Sequence, residues 1–342
     1  MIEKELENIV KEQRKNGLQD ATIRNVLKEY LQVYVLYFIY TSPKYRQKLI
    51  FTGGTCLRHF YGLERLSEDI DFDSIGDVSP HDLCVDLKNF FEVKYQYPNV
   101  RIALKQRGHQ IRLQFPVLKK LGMAGNNDSD LLYVKLDLSP LPSKNYSAVT
   151  TSKSSFGFNY AARHYDLSDL MAGKLHAILM RSRRTGREGR DTIKGRDYFD
   201  LLWFVKKGVR PNRRRLSDML KLSEEIPVKD LEKRVDQKVT TFVREHKRDY
   251  VDDMQPLTKD PDVLKIYTEN YMEEYLRFKA QSFSKRIQLR FICRKCNKEF
   301  ATGISLEKEA FENLLLGTNI HQCPFCHHEN TVSKPDYLTR ET

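Results

Sequence analysis

The sequence predicts an α+β protein: a mixed sheet with flanking helices, then a helical region, then a small cysteine-rich unit. Three observations carry this. Several short segments alternate polar and apolar residues, the period of two that sends successive side chains to opposite faces of a strand. From Asp166 to about Lys279 the apolar spacing becomes that of amphipathic helices. Near the C-terminus two CxxC pairs appear in a stretch with little material for a core. The expected boundaries are 1–150, 151–285 and 286–335.

In chain order, residues 1–42 read as two helices. The second begins near Asp20, a good N-cap, and ends before Pro43. "KLIFTGG" (Lys48–Gly54) reads as a short strand entering a glycine turn, and "TCLRHFYG" (Thr55–Gly62) as a short helix stopped by glycine. "DIDFDS" (Asp69–Ser74) alternates acidic and apolar residues as a strand does, and a helix follows from about Ser79 with Pro80 in its first turn. Three further strands are expected, over Asn99–Gln106, His109–Val117 and Leu131–Ser139, with the loop-forming "AGNNDSD" between the last two. "LSDLMAGKLHAILMRS" and "GRDYFDLLWFVKKG" open the helical region.

The chain of 342 residues is long enough for two domains, and 40% apolar with 30% charged residues is an ordinary soluble composition. Lys+Arg exceeds Asp+Glu by 58 to 46, a net charge of +12, which favours a polyanionic partner such as nucleic acid. The most apolar stretch, Tyr30–Ser42, is too short to cross a bilayer, and the charged N-terminus lacks a signal-peptide core. A cytoplasmic protein is expected, without membrane partners.

The chemistry concentrates in "FTGGTCLRHFYGLERLSEDIDFDS" (Phe51–Ser74). On a strand, Asp69 and Asp71 project together with Asp73 next in line, while Ile70 and Phe72 face the other side, as Glu68 is also expected to do. Two adjacent carboxylates repel one another, and Mg²⁺, which prefers hard oxygen ligands, relieves that repulsion. Gly53, Gly54 and Thr55 lie upstream, where backbone N–H groups and a helix dipole suit a phosphate. "LLYVKLDLS" adds Asp137, with Lys135 on the same face, as a third metal ligand or a base toward an attacking hydroxyl. Taken singly, each piece fits a plain turn or a solvent-facing acidic strand; their combination and order point to a metal–nucleotide site.

"GGTCLRHFYGLERLSEDIDF", "KLDLS" and "LSDLMAGKLHAILMRSRRTGREGRDTIKGRDYFDLLWF" together resemble the AbiEii/AbiGii-type nucleotidyltransferase toxins, within the polymerase-β-like minimal nucleotidyltransferase superfamily. The resemblance spans roughly residues 30–280. It implies a nucleotidyltransferase fold in which Gly53, Gly54 and Thr55 hold the nucleotide phosphates. Asp69 and Asp71 would bind Mg²⁺, with Asp137 as third acid. Lys174 would contact the triphosphate, and Arg196 and Asp197 would serve the nucleotide from the helical domain. It also implies an NTP substrate, an acceptor such as a tRNA 3′ end whose modification blocks translation, and a cognate antitoxin. Many members carry Gly-Ser where this chain has Gly-Gly-Thr, so Thr55 is expected to supply the hydroxyl.

Without that resemblance, Lys174 reads as a snorkelling lysine on an apolar helix. Arg196 and Asp197 read as an ion pair at a helix start. The basic segment Arg181–Arg196 reads as a contact surface for RNA or triphosphate, and Arg210 with Arg213–Arg215 adds positive surface. Two other functions fit the same fold: transfer to a protein or small-molecule hydroxyl, and a non-catalytic RNA-binding module.

Cys293, Cys296, Cys323 and Cys326 form two CxxC pairs separated by 26 residues, spacing suited to a tetrahedral Zn²⁺ in a structural ribbon. "EKEAFENLLLG" fits a short helix between them, and His321, His327 and His328 are bystanders. So small a unit draws its folding energy largely from the metal.

Overall fold

The computed structural model describes residues 2–181, 194–284, 286–315 and 317–341. It divides into two compact units, Met1–Ser282 and Phe283–Thr342. Among the described residues, no helix is long and apolar enough to cross a membrane.

The first unit opens with helices α1 (Ile2–Lys15) and α2 (Asp20–Thr41). Helix α2 is apolar around most of its circumference and is buried accordingly, with Leu27, Leu31, Val35 and Ile39 fully enclosed. Strand β1 (Leu49–Thr52) runs directly into α3 (Gly53–Tyr61), which Gly62 ends in the left-handed conformation. Then come β2 (Asp69–Ser74) and α4 (Pro80–Asn89), the latter capped by the Ser79 side chain. Strands β3 (Arg101–Lys105), β4 (Gln110–Pro116), β5 (Leu131–Pro140), β6 (Ala148–Ser155) and β7 (Phe158–Tyr165) follow.

These strands form one seven-stranded sheet in the order β3-β4-β5-β2-β1-β7-β6. It is mixed: β2 runs parallel to β5 and antiparallel to β1, which runs parallel to β7. The α+β expectation holds. Sequence patterning misses β6 and β7. Strand β6, at the sheet edge, carries mostly exposed polar residues and offers no apolar alternation. The pair closes through Phe156 and Gly157, both at positive φ, as a tight hairpin requires. Tyr40 ties α2 to the sheet by donating to the Arg163 carbonyl at 2.6 Å.

The helical part comprises α5 (Leu167–Met180), α6 (Gly195–Lys206), α7 (Arg213–Met219), α8 (Val228–Glu245), α9 (Lys247–Met254), α10 (Pro261–Glu269) and α11 (Tyr271–Phe283). Helix α6 forms its centre: Phe199, Leu201, Leu202 and Phe204 are fully buried, and Tyr198 stacks on Phe242 at 4.0 Å. A Cβ at Gly195 would meet the Tyr250 backbone at 2.8 Å, so α6 begins where only glycine lets α9 approach.

The second unit has a three-stranded sheet of β12 (Leu338–Glu341), β8 (Arg286–Ile292) and β9 (Glu299–Glu307), and a ladder of β10 (Asn319–Gln322) with β11 (Glu329–Val332). Helix α12 (Lys308–Asn313) falls where the short helix is expected. Its core is small: Ile287, Leu289, Phe291, Phe300, Val332 and Tyr337 around Cys293 and Cys323.

Candidate active site and cysteine centre

The glycine turn and the acidic strand meet because β1 and β2 are neighbours. Thr52, the last residue of β1, lies opposite Asp71, and Asp71 lies opposite Asp137 on β5. Asp137 in turn lies opposite Gln110 on β4. Directly opposed residues project from the same face, so Thr52, Asp71, Asp137 and Gln110 form one transverse row. Asp69 and Lys135 head the next row, with Lys135 Nζ 3.3 Å from Asp69 Oδ1. Ile70 and Phe72 point into the core.

Gly53 has φ +77°, and a Cβ there would collide with Asp71 Oδ2. Glycine is therefore required both by backbone conformation and by space. A Cβ on Gly54 would strike the Arg65 guanidinium and come within 3.2 Å of Ser67 Oγ. Thr55 is fully buried, its hydroxyl bonded to Ser67 Oγ at 2.8 Å and to the Asp69 carbonyl. That hydroxyl props up the start of β2 and does not line the cleft.

Asp71 and Asp137 are short of compensating charge. Burial, then Asp69 and Asp137, push Asp71 up to about 7, against the partial opposition of Lys174 and Arg196. Burial likewise raises Asp137, although Gln110 Nε2 donates to its Oδ1 at 2.9 Å. Gln110 is itself fixed by Arg112 Nη2 at 3.1 Å. Asp69 Oδ1 is buried without a hydrogen bond of good geometry. Three clustered hard oxygen donors, two of them short of positive charge, suit a divalent cation such as Mg²⁺. Their oxygens do not all lie within 4.8 Å of one another, so such an ion would draw them inward. Asp73 is engaged elsewhere, accepting from Tyr165 Oη at 2.6 Å and Arg215 Nη2 at 3.1 Å.

The opposite wall is cationic. Lys174 on α5 sits 2.9 Å from Asp197 Oδ1 and 2.7 Å from Asp200 Oδ2. Arg181 also binds Asp197, whose carboxyl these cations hold below its usual range despite burial. Arg196 Nη2 lies 3.8 Å from Asp69 Oδ2, and its Nη1 lies 3.5 Å from Glu68. Glu68 thus sits beside the site rather than facing away. It precedes the first residue of β2, so strand alternation does not govern it, and Lys28 grips it at 2.7 Å.

The resulting cleft has a volume of about 350 Å³; Gly53, Gly54, Asp69, Asp71, Asp137 and Lys174 line it, as do Arg181, Lys194, Arg196 and Asp197. The residues expected at the metal–nucleotide site thus share one cleft, apart from Thr55. Of the basic segment Arg181–Arg196, residues 182–193 lie outside the described residues.

Sequence reasoning missed Arg65 and Asp200. Arg65 donates to Asp200 through Nε and Nη2, both at 2.6 Å, and the two are almost wholly buried. Asp200 had a signal: it stands one helical turn after Asp197 in an otherwise apolar run. Arg65 had none, since a lone arginine in a polar loop reads as surface.

In the second unit, Cys293, Cys296, Cys323 and Cys326 place their sulfurs within 4.8 Å of one another. Two sulfur pairs stand 3.6 Å apart, against about 3.8 Å between thiolates tetrahedrally bound to Zn²⁺ at 2.3 Å. All four are free of disulfides. Buried Asn330 clamps the centre: its amide donates to Cys293 Sγ at 3.6 Å and to the His328 carbonyl at 3.0 Å, and its oxygen accepts from Arg294 N. Burial would raise the Cys293 thiol, but the N–H groups of Cys296 and Lys295, with the Asn330 amide, draw it down to about 6. The donor set fits a thiophilic tetrahedral ion. His321, by contrast, is bonded to Tyr337 Oη at 2.7 Å.

No curated protein matches this chain. Among solved structures, JHP933 from Helicobacter pylori is similar at 19% identity, over 75% of this chain and 91% of that one, with a TM-score of 0.43. A second H. pylori structure, described as a candidate nucleotidyltransferase, gives 19% identity, 75% and 92% coverage and a TM-score of 0.40. A family model described as "Nucleotidyl transferase AbiEii toxin, Type IV TA system" matches residues 36–269, about two-thirds of the chain, and that span contains the glycine turn, the three carboxylates, Lys174 and the Arg196–Asp197 pair. The chain belongs to the AbiEii family of nucleotidyltransferase toxins from Type IV toxin–antitoxin systems, and it is a nucleotidyltransferase.

Proposed function

We propose that this enzyme uses Mg²⁺ to transfer a nucleotide from an NTP to the 3′-hydroxyl of a tRNA in the cytoplasm, blocking translation unless a cognate antitoxin intervenes. The observation that carries this reading is the in-register pairing of Asp71 with Asp137, with Asp69 on the same face, at the mouth of the Gly53–Gly54 turn.

Asp69, Asp71 and Asp137 would hold Mg²⁺, which when bound neutralises charge on the phosphates and lowers the cost of in-line attack. The N–H groups at the start of α3 take phosphate oxygens, and Gly53 and Gly54 keep the backbone open to them. Lys174 has three ammonium hydrogens; Asp197 and Asp200 take two and aim the third at the triphosphate. Arg196, anchored by Asp69 and Glu68, adds positive charge on the same side. The acceptor oxygen forms a bond to the α-phosphorus, the bond to the bridging oxygen breaks, and pyrophosphate leaves. The hydroxyl proton passes to Asp137, whose Oδ2 is not held by Gln110. Positioning and charge neutralisation supply most of the rate. The Thr55 hydroxyl supports Asp69 and does not touch phosphate. The cysteine centre takes a structural Zn²⁺, and elemental analysis should find about one per chain.

The test supplies purified protein with Mg²⁺, each labelled NTP in turn, and a mixture of tRNA and cell protein. Label should enter tRNA with the wild type and not with Asp69→Ala. Label on protein alone would refute the RNA acceptor, and equal labelling by Asp69→Ala would refute the site.

A further inference from the structure

The four cysteines force two loops together, Cys293–Lys298 and Cys323–His328. One is "CRKCNK" and the other "CPFCHH". At their junction Phe325 keeps 55% of its surface exposed, although a buried position would suit it better. Lys298 comes from the other loop and places its ammonium 5.0 Å from the centre of the Phe325 ring. Arg294, Lys295, His327 and His328, on the same two loops, are all exposed. Two acids on neighbouring strands and turns are already neutralised, Glu299 by Arg290 and Asp336 by Arg294. Glu329 is the acid beside His328.

We propose that this face of the cysteine unit binds single-stranded RNA, with Phe325 as a stacking platform for a base and Lys298 and Lys295 as phosphate contacts. An exposed ring framed by cations is what unpaired bases with their phosphates require. A protein-docking patch would be depleted of charge around its aromatic anchor, whereas Phe325 has a lysine ammonium over its ring. Charge balance around four thiolates accounts for lysines near the centre but not for an exposed phenylalanine. Base stacking tolerates sequence differences, so the contact selects unpaired strands over duplex rather than one sequence over another.

The partner is of the same chemical class as the RNA acceptor of the previous section, on which the proposal relies only for its biological use. Its test omits NTP and therefore stands apart from catalysis. Full-length, zinc-loaded protein is titrated into a fluorescein-labelled single-stranded RNA 12-mer, and anisotropy is read at several salt concentrations. Phe325→Ala should weaken binding about tenfold, while Phe325→Trp retains it. Lys298→Ala should weaken it several-fold and flatten the salt dependence by about 0.7 in log–log slope. Zinc content and thermal midpoint should stay at wild-type values in each variant, since Phe325 and Lys298 are on the surface. Absence of RNA binding by the wild type, or unchanged affinity in both alanine variants, would overturn the proposal. So would preferential binding of duplex RNA.

Discussion

Arg65 and Asp200 stand 135 positions apart in sequence and form two parallel hydrogen bonds of 2.6 Å inside the first unit. This fork joins the loop before β2 to the middle of α6. The Arg65 guanidinium also lies where a Gly54 side chain would go, and Asp200 also grips Lys174. One buried pair thus sets the floor of the glycine turn and the position of the cleft's lysine. Removing one partner of a buried charge pair leaves the other uncompensated, at a cost of about 3–5 kcal/mol. Asp200 keeps Lys174 as a partner, so Arg65→Ala should lower stability by the lower end of that range or less in denaturant unfolding. Arg65→Lys should fall between, because lysine keeps the charge without the planar fork. An Arg65→Ala protein as stable as the wild type would contradict this role.

Gly53→Ala tests the turn itself. The substitution forces a Cβ onto a residue at φ +77° and into the Asp71 carboxylate. The strain costs about 1–3 kcal/mol, which the fold tolerates, but Asp71 must move. Nucleotide transfer should drop at least about a hundredfold, given how steeply rate depends on a misplacement near 1 Å. The circular dichroism spectrum should be unchanged. Wild-type kcat in a folded Gly53→Ala protein would mean that Asp71 need not stand where the structure puts it.

A cation bound by Asp69, Asp71 and Asp137 stabilises the folded state by mass action. At a concentration about 100 times its Kd, Mg²⁺ should raise stability by about 2.7 kcal/mol. The Asp71→Asn protein should show little of that gain. Thermal unfolding with and without Mg²⁺ makes the comparison, and an equal gain in both proteins would place the cation elsewhere.

His59, buried on α3, makes the fold sensitive to acid. Burial lowers its pKa to about 4, with Glu29 opposing and Lys153 and Arg58 assisting. The unfolded chain takes up this proton near 6.5, so the stability is complete above that pH and drains away as pH falls toward 4. The loss from this one group reaches up to about 3 kcal/mol. His59→Phe should flatten the decline between pH 6.5 and 4, as followed by denaturant midpoints. A decline as steep in the variant as in the wild type would assign the acid sensitivity to other groups.

Much of the acidic face of the cleft was legible because its residues obey local rules. Asp69 and Asp71 share a face by strand alternation, and "GGT" announces a turn. Gly62 and Ser79 mark helix ends in the expected way. The supporting residues were not legible, because their partners are distant in sequence. Nothing near Arg65 announces Asp200, and nothing near Asp73 announces Tyr165 or Arg215. Thr55 looked like a phosphate ligand because its neighbours are glycines, but the helix that starts at Gly53 rotates its hydroxyl beneath β2. Strand β6 escaped because an exposed polar edge strand has no apolar period to read.

The three carboxylates are proposed to direct transfer of the α-phosphoryl nucleotide to a tRNA 3′ end. The most direct measurement compares α-labelled with γ-labelled NTP, using intact tRNA and tRNA whose 3′-ribose has been oxidised with periodate. The α-label alone should be incorporated, into intact tRNA only, and none with Asp71→Ala. Incorporation of the γ-label, or of the α-label into oxidised tRNA at the same level, would contradict it.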